Sequence, residues 1–87
     1  MEGWLKLSEQ WYVYLLLCAD GTYYCGCTKD LERRLRQHNA GRGARYTRAR
    51  LPVRMLVNKA VLGHGEALRL EADIKRLPRH LKQAALA

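Results

Sequence analysis

The stretch Trp11-Tyr12-Val13-Tyr14-Leu15-Leu16-Leu17-Cys18, followed by Ala19-Asp20-Gly21-Thr22 and then by Tyr23-Tyr24-Cys25-Gly26-Cys27-Thr28, decides how the chain is read. The first run is aromatic, β-branched and apolar throughout. It is too short for a typical helix and reads as a largely buried strand. The tetrapeptide after it is turn chemistry and the second run is another short strand, so the two form a hairpin. The length of the loop sets which side chains share a face. A two-residue loop, Asp20-Gly21, sets Tyr14 opposite Cys27 and puts Tyr24 on the other side of the sheet. A three-residue loop, Ala19 to Gly21, sets Tyr14 opposite Gly26 and Leu16 opposite Tyr24. That loop is a type I turn closed by a left-handed residue, and Gly21 stands at the left-handed position. A bulge would reach the same offset.

Outward from the hairpin, Thr28 reads as a helix N-cap, with Asp30 and Glu32 in a first turn where the helix dipole favours acids. The helix is expected to run to about Asn39 and to end at Gly41 in a left-handed cap. Residues 42–52 form a basic connector with a helical turn around Tyr46, closed by Pro52. Val53 to Val61 reads as a third strand, Gly63-His64-Gly65 as a break, Glu66 to Leu77 as a helix and Arg79 to Leu86 as a short terminal helix. The expected architecture is α+β: a small, three-stranded, mainly antiparallel sheet flanked by helices in the order ββαβα. Residues 1–10 read as a lead-in with Trp4 as an anchor, and residues 11–87 as a single domain.

Composition narrows the class of protein. With 87 residues, 48% hydrophobic and 28% charged, the chain can build one modest core and no second module. The longest apolar run, from Trp11 to Cys18, falls well short of the ~20 residues a membrane-spanning helix needs. Glu2 and Glu9 precede that run and no small-residue cleavage site follows it, which argues against a signal peptide. Cys18, Cys25 and Cys27 are odd in number and suit small buried thiols in a reducing cytoplasm better than a disulfide framework. Cys25 and Cys27 lie two apart on one strand, but His38, His64 and His80 show no zinc-ligand spacing to them.

The net charge is +8, and it is localised. Between Lys29 and Arg54 stand nine basic residues against Asp30 and Glu32. All but Lys29 are arginines, whose guanidinium forks match phosphate oxygens. A nucleic-acid partner is expected, with Lys29, Arg33, Arg42, Arg45, Arg48 and Arg50 as candidate phosphate-binding residues. A merely solvated basic face is the alternative.

Polar side chains also stand on the apolar faces of both main helices. Leu31, Arg34, Leu35 and His38 fall on one stripe. Glu71 lies beside the stripe Ala67, Leu70, Ile74 and Leu77, where an acid is partly desolvated unless a cation meets it. Arg34 and Arg69 are the expected cations if the role of Glu71 is only structural. Taken together, Arg34, His38 and Glu71 beside a tyrosine-bearing sheet form a site-like constellation.

In that order and spacing the residues resemble the GIY-YIG nuclease domain, in particular the small standalone bacterial proteins that consist of little else. Tyr12-Val13-Tyr14 stands at the GIY position and Tyr24-Cys25-Gly26 at the YIG position. The run from Thr28 to Asn39 is similar to the family's arginine-bearing helix. Gly43 to Arg48 and Glu66 to Glu71 resemble segments of the standalone group. The match covers roughly residues 11–80, and Tyr12 in place of the first glycine is its clear departure. The larger nucleases of the family add a separate DNA-binding region, which this sequence does not show.

The resemblance implies a metal-dependent endonuclease acting on DNA, including branched or single-stranded forms, in repair or recombination. It implies Tyr14, Tyr24, Arg34, His38 and Glu71 as catalytic residues and Glu71 as the ligand of Mg²⁺ or Mn²⁺. A protein partner or a homodimer is left open. Arg34 would hold a non-bridging phosphoryl oxygen and Tyr24 would orient the water. An unperturbed tyrosine titrates near pH ~10, so Tyr14 as base must be acidified by the cation or Arg34, or be relayed through His38. The alternative function is a nucleic-acid-binding module with a weak or vestigial site, acting with a partner. A site shared by Tyr14 and Tyr24 requires the three-residue hairpin loop, with Tyr14 packed over Gly26 and Gly21 at positive φ.

Overall fold

The computed structural model describes residues 9–87, and the anchor expected at Trp4 lies outside them. Strand β1 spans Gln10–Leu17, β2 Tyr23–Thr28 and β3 Arg54–Leu62. Helix α1 spans Leu31–Asn39, α2 Arg45–Arg48, α3 His64–Arg76 and α4 Arg79–Leu86. The sheet is antiparallel with order β2-β1-β3. The central strand β1 is covered on both faces, which explains its uninterrupted apolar sequence and the burial of four successive residues, Val13 to Leu16.

The hairpin takes the three-residue loop. Tyr14 pairs with Gly26 and Leu16 with Tyr24, and Gly21 has φ +84°. The Gly21 N–H donates to the Cys18 carbonyl at 2.9 Å, and the Cys18 N–H to the Thr22 carbonyl at 2.8 Å. Asp20 stiffens the turn by accepting from both the backbone N–H and the hydroxyl of Thr22. A Cβ at position 26 would lie 2.6 Å from the Tyr14 hydroxyl oxygen, so only glycine leaves room for the ring that packs there.

The two faces of the sheet carry separate layers. Val13, Leu15 and Cys25 face α3 and α4 through Ala67, Ile74 and Leu86. Tyr14, Leu16 and Cys18 face the other way, toward Leu31 and Leu35 of α1 and the segment carrying Leu51 and Val53. Each fully buried leucine contributes about 1.5–3 kcal/mol of transfer free energy to this sandwich. A bulge in β3 at Leu56 shifts the β1–β3 register between Leu15 and Leu16.

Three local expectations are corrected. The α1 cap is Asp30, whose side chain accepts from the Arg33 N–H at 3.1 Å. Thr28 instead accepts from the Asp30 N–H, making the turn that leads into the helix. Strand β3 begins and ends one residue later than its apolar pattern suggests, because Val53 is held by Asn39 and stays outside the ladder. Helix α3 begins at His64, taking in the expected break at Gly65.

Candidate active site

Tyr14, Tyr24 and His38 meet on the α1 face of the sheet. The Tyr14 and Tyr24 ring centroids are 6.5 Å apart, and His38 sets its ring edge-on to both. The Tyr14 hydroxyl lies 2.9 Å from His38 Nε2. Both residues are essentially inaccessible, at 1% and 0% exposure. Arg34, one turn before His38 on α1, lies beside the same phenol, and its Nη1 donates to Gln37 Oε1 at 3.1 Å.

Burial controls the proton affinities here. It pushes the Tyr14 phenol up to about 12, against the opposing influence of a hydrogen bond from Arg34. Burial, aided by the Arg34 charge, holds the His38 imidazole down at about 4. The resting site therefore carries a neutral phenol hydrogen-bonded to a neutral imidazole. Burial also raises the Tyr24 phenol, with the charges of Lys75, Glu71 and Arg34 acting on it as well.

Glu71 is placed differently. Helix α3 packs on the opposite face of the sheet, and the Glu71 carboxylate lies beside β2. There it meets the thiol of Cys27 and pairs with Lys75 Nζ at 2.6 Å. Its ion-pair partner is thus Lys75, one turn along its own helix, and not Arg34 or Arg69. Burial followed by the hydrogen bond to Glu71 pushes the Cys27 thiol up to about 12. The three cysteines are free thiols, with Cys18 and Cys25 buried. Among the described residues no cluster of three or more His, Cys, Asp or Glu side chains is present. A single hard carboxylate, with water and substrate oxygens completing the set, still suits Mg²⁺ or Mn²⁺.

A cleft of about 390 Å³ opens beside Arg34, lined by Trp11, Cys27, Lys29 and Arg33 among others. It joins the Cys27 edge to the basic start of α1. A second hollow carries Arg33, Arg36 and Arg42. Arg42, Arg45 and Arg48 are exposed and make no ion pair among the described residues. Arg50 is engaged: it pairs with Asp20 at 3.0 Å, donates to the Tyr46 carbonyl at 2.8 Å and lies 3.9 Å over the Tyr46 ring. It fastens the connector to the hairpin turn and is poorly placed as a free phosphate ligand.

Sequence reasoning assigned no role to Thr47. It is fully buried, and its hydroxyl lies 2.8 Å from His38 Nδ1. Its one sequence signal was a β-branched hydroxyl residue within an otherwise basic, exposed connector.

The chain is similar to known proteins over most of its length. The family model described as the GIY-YIG catalytic domain matches residues 10–84. A UPF0213 protein of Nitratidesulfovibrio vulgaris is 57% identical over 82 residues, covering 94% of this chain and 74% of that protein. One from Streptococcus agalactiae is 52% identical over 71 residues, covering 82% of this chain and 81% of that protein. Two solution NMR structures share the fold at 43% identity. A protein from E. faecalis matches with TM-score 0.61 over 88% of this chain and 82% of its own. A UPF0213 protein from Bacillus halodurans matches with TM-score 0.53 over 86% and 80%. Among the described residues, no helix is long and apolar enough to cross a membrane.

Proposed function

Because the chain belongs to the GIY-YIG catalytic domain family, we propose that it is a divalent-metal-dependent endonuclease that hydrolyses phosphodiester bonds in DNA, with branched or single-stranded DNA of repair and recombination as substrate. The observation that carries this reading is the buried hydrogen bond between Tyr14 and His38, set beside Arg34 and Tyr24 on one sheet face.

Hydrolysis needs a water stripped of its proton and a charge partner for the phosphoryl oxygens. Arg34 is the donor fork for a non-bridging oxygen. Tyr14, closed off from solvent in the resting fold, must be uncovered as substrate binds; it then takes the proton of the attacking water while passing its own to His38 Nε2. Burial raises the phenol and lowers the imidazole, so it disfavours a standing tyrosinate–imidazolium pair. The two proton movements must therefore be concerted with attack. Tyr24 orients the water. Glu71 would hold Mg²⁺ or Mn²⁺, which when bound supplies counter-charge to the phosphoryl and leaving oxygens. Lys75 engages only Oε2 of that carboxylate, so Oε1 remains for the ion.

A second reading, a nucleic-acid-binding module with weak cleavage, draws support from the Glu71–Lys75 pair, which occupies one oxygen of the acid the cation needs. The two separate in one experiment: incubation with branched, nicked, single-stranded and duplex DNA, with Mg²⁺, Mn²⁺ or chelator. Metal-dependent cleavage of any of these supports the nuclease. Binding to all four with no cleavage under any condition supports the binding module.

A further inference from the structure

His38 uses both ring nitrogens, and proton counting settles which one carries the hydrogen. Tyr14 is buried, and among the described residues its phenol hydrogen-bonds with His38 and Arg34. A guanidinium only donates, so the Tyr14 proton has one acceptor, His38 Nε2. Nε2 must then be the unprotonated nitrogen, and Nδ1 carries the hydrogen. The Nδ1–H faces Thr47 Oγ1 at 2.8 Å, and that hydroxyl sends its own proton to the Ala44 carbonyl at 3.0 Å. The chain runs in one direction, from Tyr14 through His38 and Thr47 to the backbone of the connector.

The connector is shaped to hold this end of the chain. A Cβ on Gly43 would fall 2.8 Å from the His38 Cα and collide with the imidazole ring, although Gly43 does not have positive φ. Glycine there serves close approach and no turn. The Asn39 side chain donates to the Val53 carbonyl at 3.0 Å and accepts from its N–H at 2.8 Å, closing the loop that carries Thr47 over the end of α1.

We propose that Thr47 is a positioning residue: by accepting the Nδ1–H of His38 it fixes the tautomer whose Nε2 can take a proton from Tyr14. This rests on the nuclease reading for its consequence in rate, but not for the tautomer itself. Without the hydroxyl, a buried Nδ1–H would lack an acceptor. With that acceptor gone the preference for the Nδ1 tautomer narrows, and whatever fraction of the ring is protonated at Nε2 leaves Tyr14 nowhere to send its proton.

The test is a long-range ¹H–¹⁵N spectrum of the ¹⁵N-labelled full chain near neutral pH, paired with single-turnover DNA cleavage in Mg²⁺. Wild type and Thr47→Ser are expected to show His38 protonated at Nδ1 and to cleave within about 3-fold of each other. Thr47→Val is expected to shift the ring toward Nε2 protonation and to cleave about 10²-fold more slowly, the lower range for loss of general-base help. An Nε2-protonated His38 in the wild type overturns the proposal, as does Thr47→Val cleaving at the wild-type rate. Should Thr47→Val not fold, the wild-type spectrum still decides. A protein with the Nδ1 tautomer that cleaves no DNA upholds the role of Thr47 and defeats the nuclease reading instead.

Discussion

The two halves of the candidate site are built to different standards. On the α1 face, Tyr14, His38 and Thr47 are all but sealed from solvent and joined by hydrogen bonds of 2.8–2.9 Å. At the β2 edge, Glu71 is held by Lys75, whose side chain is 52% exposed. The first half is fixed by the core, and moving any member leaves a buried polar group unpaired. The second is an i,i+4 ion pair in which the glutamate side chain is 17% exposed and the lysine side opens to solvent. Under the proposed mechanism the acid–base groups are thus part of the folded state, whereas the metal-binding half would be completed when ion and substrate arrive. Substitutions should therefore split: those in the first half damage chemistry and fold together, and those in the second damage chemistry alone.

The largest expected effect is on chemistry. Tyr14→Phe should slow single-turnover cleavage by about 10²–10⁴-fold, the range for loss of a positioned base. It should also cost about 1–3 kcal/mol in urea unfolding, since His38 Nε2 is left without a donor. Glu71→Gln should leave the unfolding free energy in urea within about 1 kcal/mol of wild type. Equal destabilisation by the two would erase the distinction.

Acid stability sharpens the same contrast. An unfolded histidine titrates at ~6.5, whereas folded His38 does so at about 4. As pH falls, the unfolded state binds the proton first. The contribution of His38 is therefore fully present above ~6.5 and is lost as pH drops through its folded value. Between pH 7 and 4.5 the loss should be about 2–3 kcal/mol. His38→Gln lacks this component, so its unfolding free energy should fall less over the same interval. Parallel curves for the two proteins would mean that His38 titrates normally and is not sealed.

The smallest effects concern the basic surface. Replacing Arg42, Arg45 and Arg48 by Ala should make the slope of log affinity against log salt shallower by about 0.9 for each arginine that meets a duplex phosphate. Arg50→Ala should leave that slope unchanged and cost at most about 1 kcal/mol of stability, because its partners are Asp20 and Tyr46. A slope that responds to Arg50 and ignores the other three would reverse this division.

Much of the first half was legible in the sequence, because its geometry follows from local rules. Gly21 after Ala19-Asp20 selects a three-residue loop, and the loop fixes the register that puts Tyr14 and Tyr24 on one face. The stripe of Leu31, Arg34, Leu35 and His38 follows from helical spacing alone. Thr47 was not legible, because its contact with His38 depends on how a thirteen-residue connector folds back between Asn39 and Val53. The Glu71–Lys75 pair was readable as an acid four residues ahead of a lysine on one helix. The bulge at Leu56 has no turn residue to announce it and follows from packing both faces of β1.

The central claim is that the fixed Tyr14–His38 half needs a cation on Glu71 to act. Its most direct test is the cleavage rate as a function of Mg²⁺ concentration for the wild type and Glu71→Gln, with DNA binding measured on the same samples. Saturable activation of the wild type, with Glu71→Gln binding DNA normally but inactive at every Mg²⁺ concentration, is the expected result. Superimposable activation curves for the two proteins would contradict it.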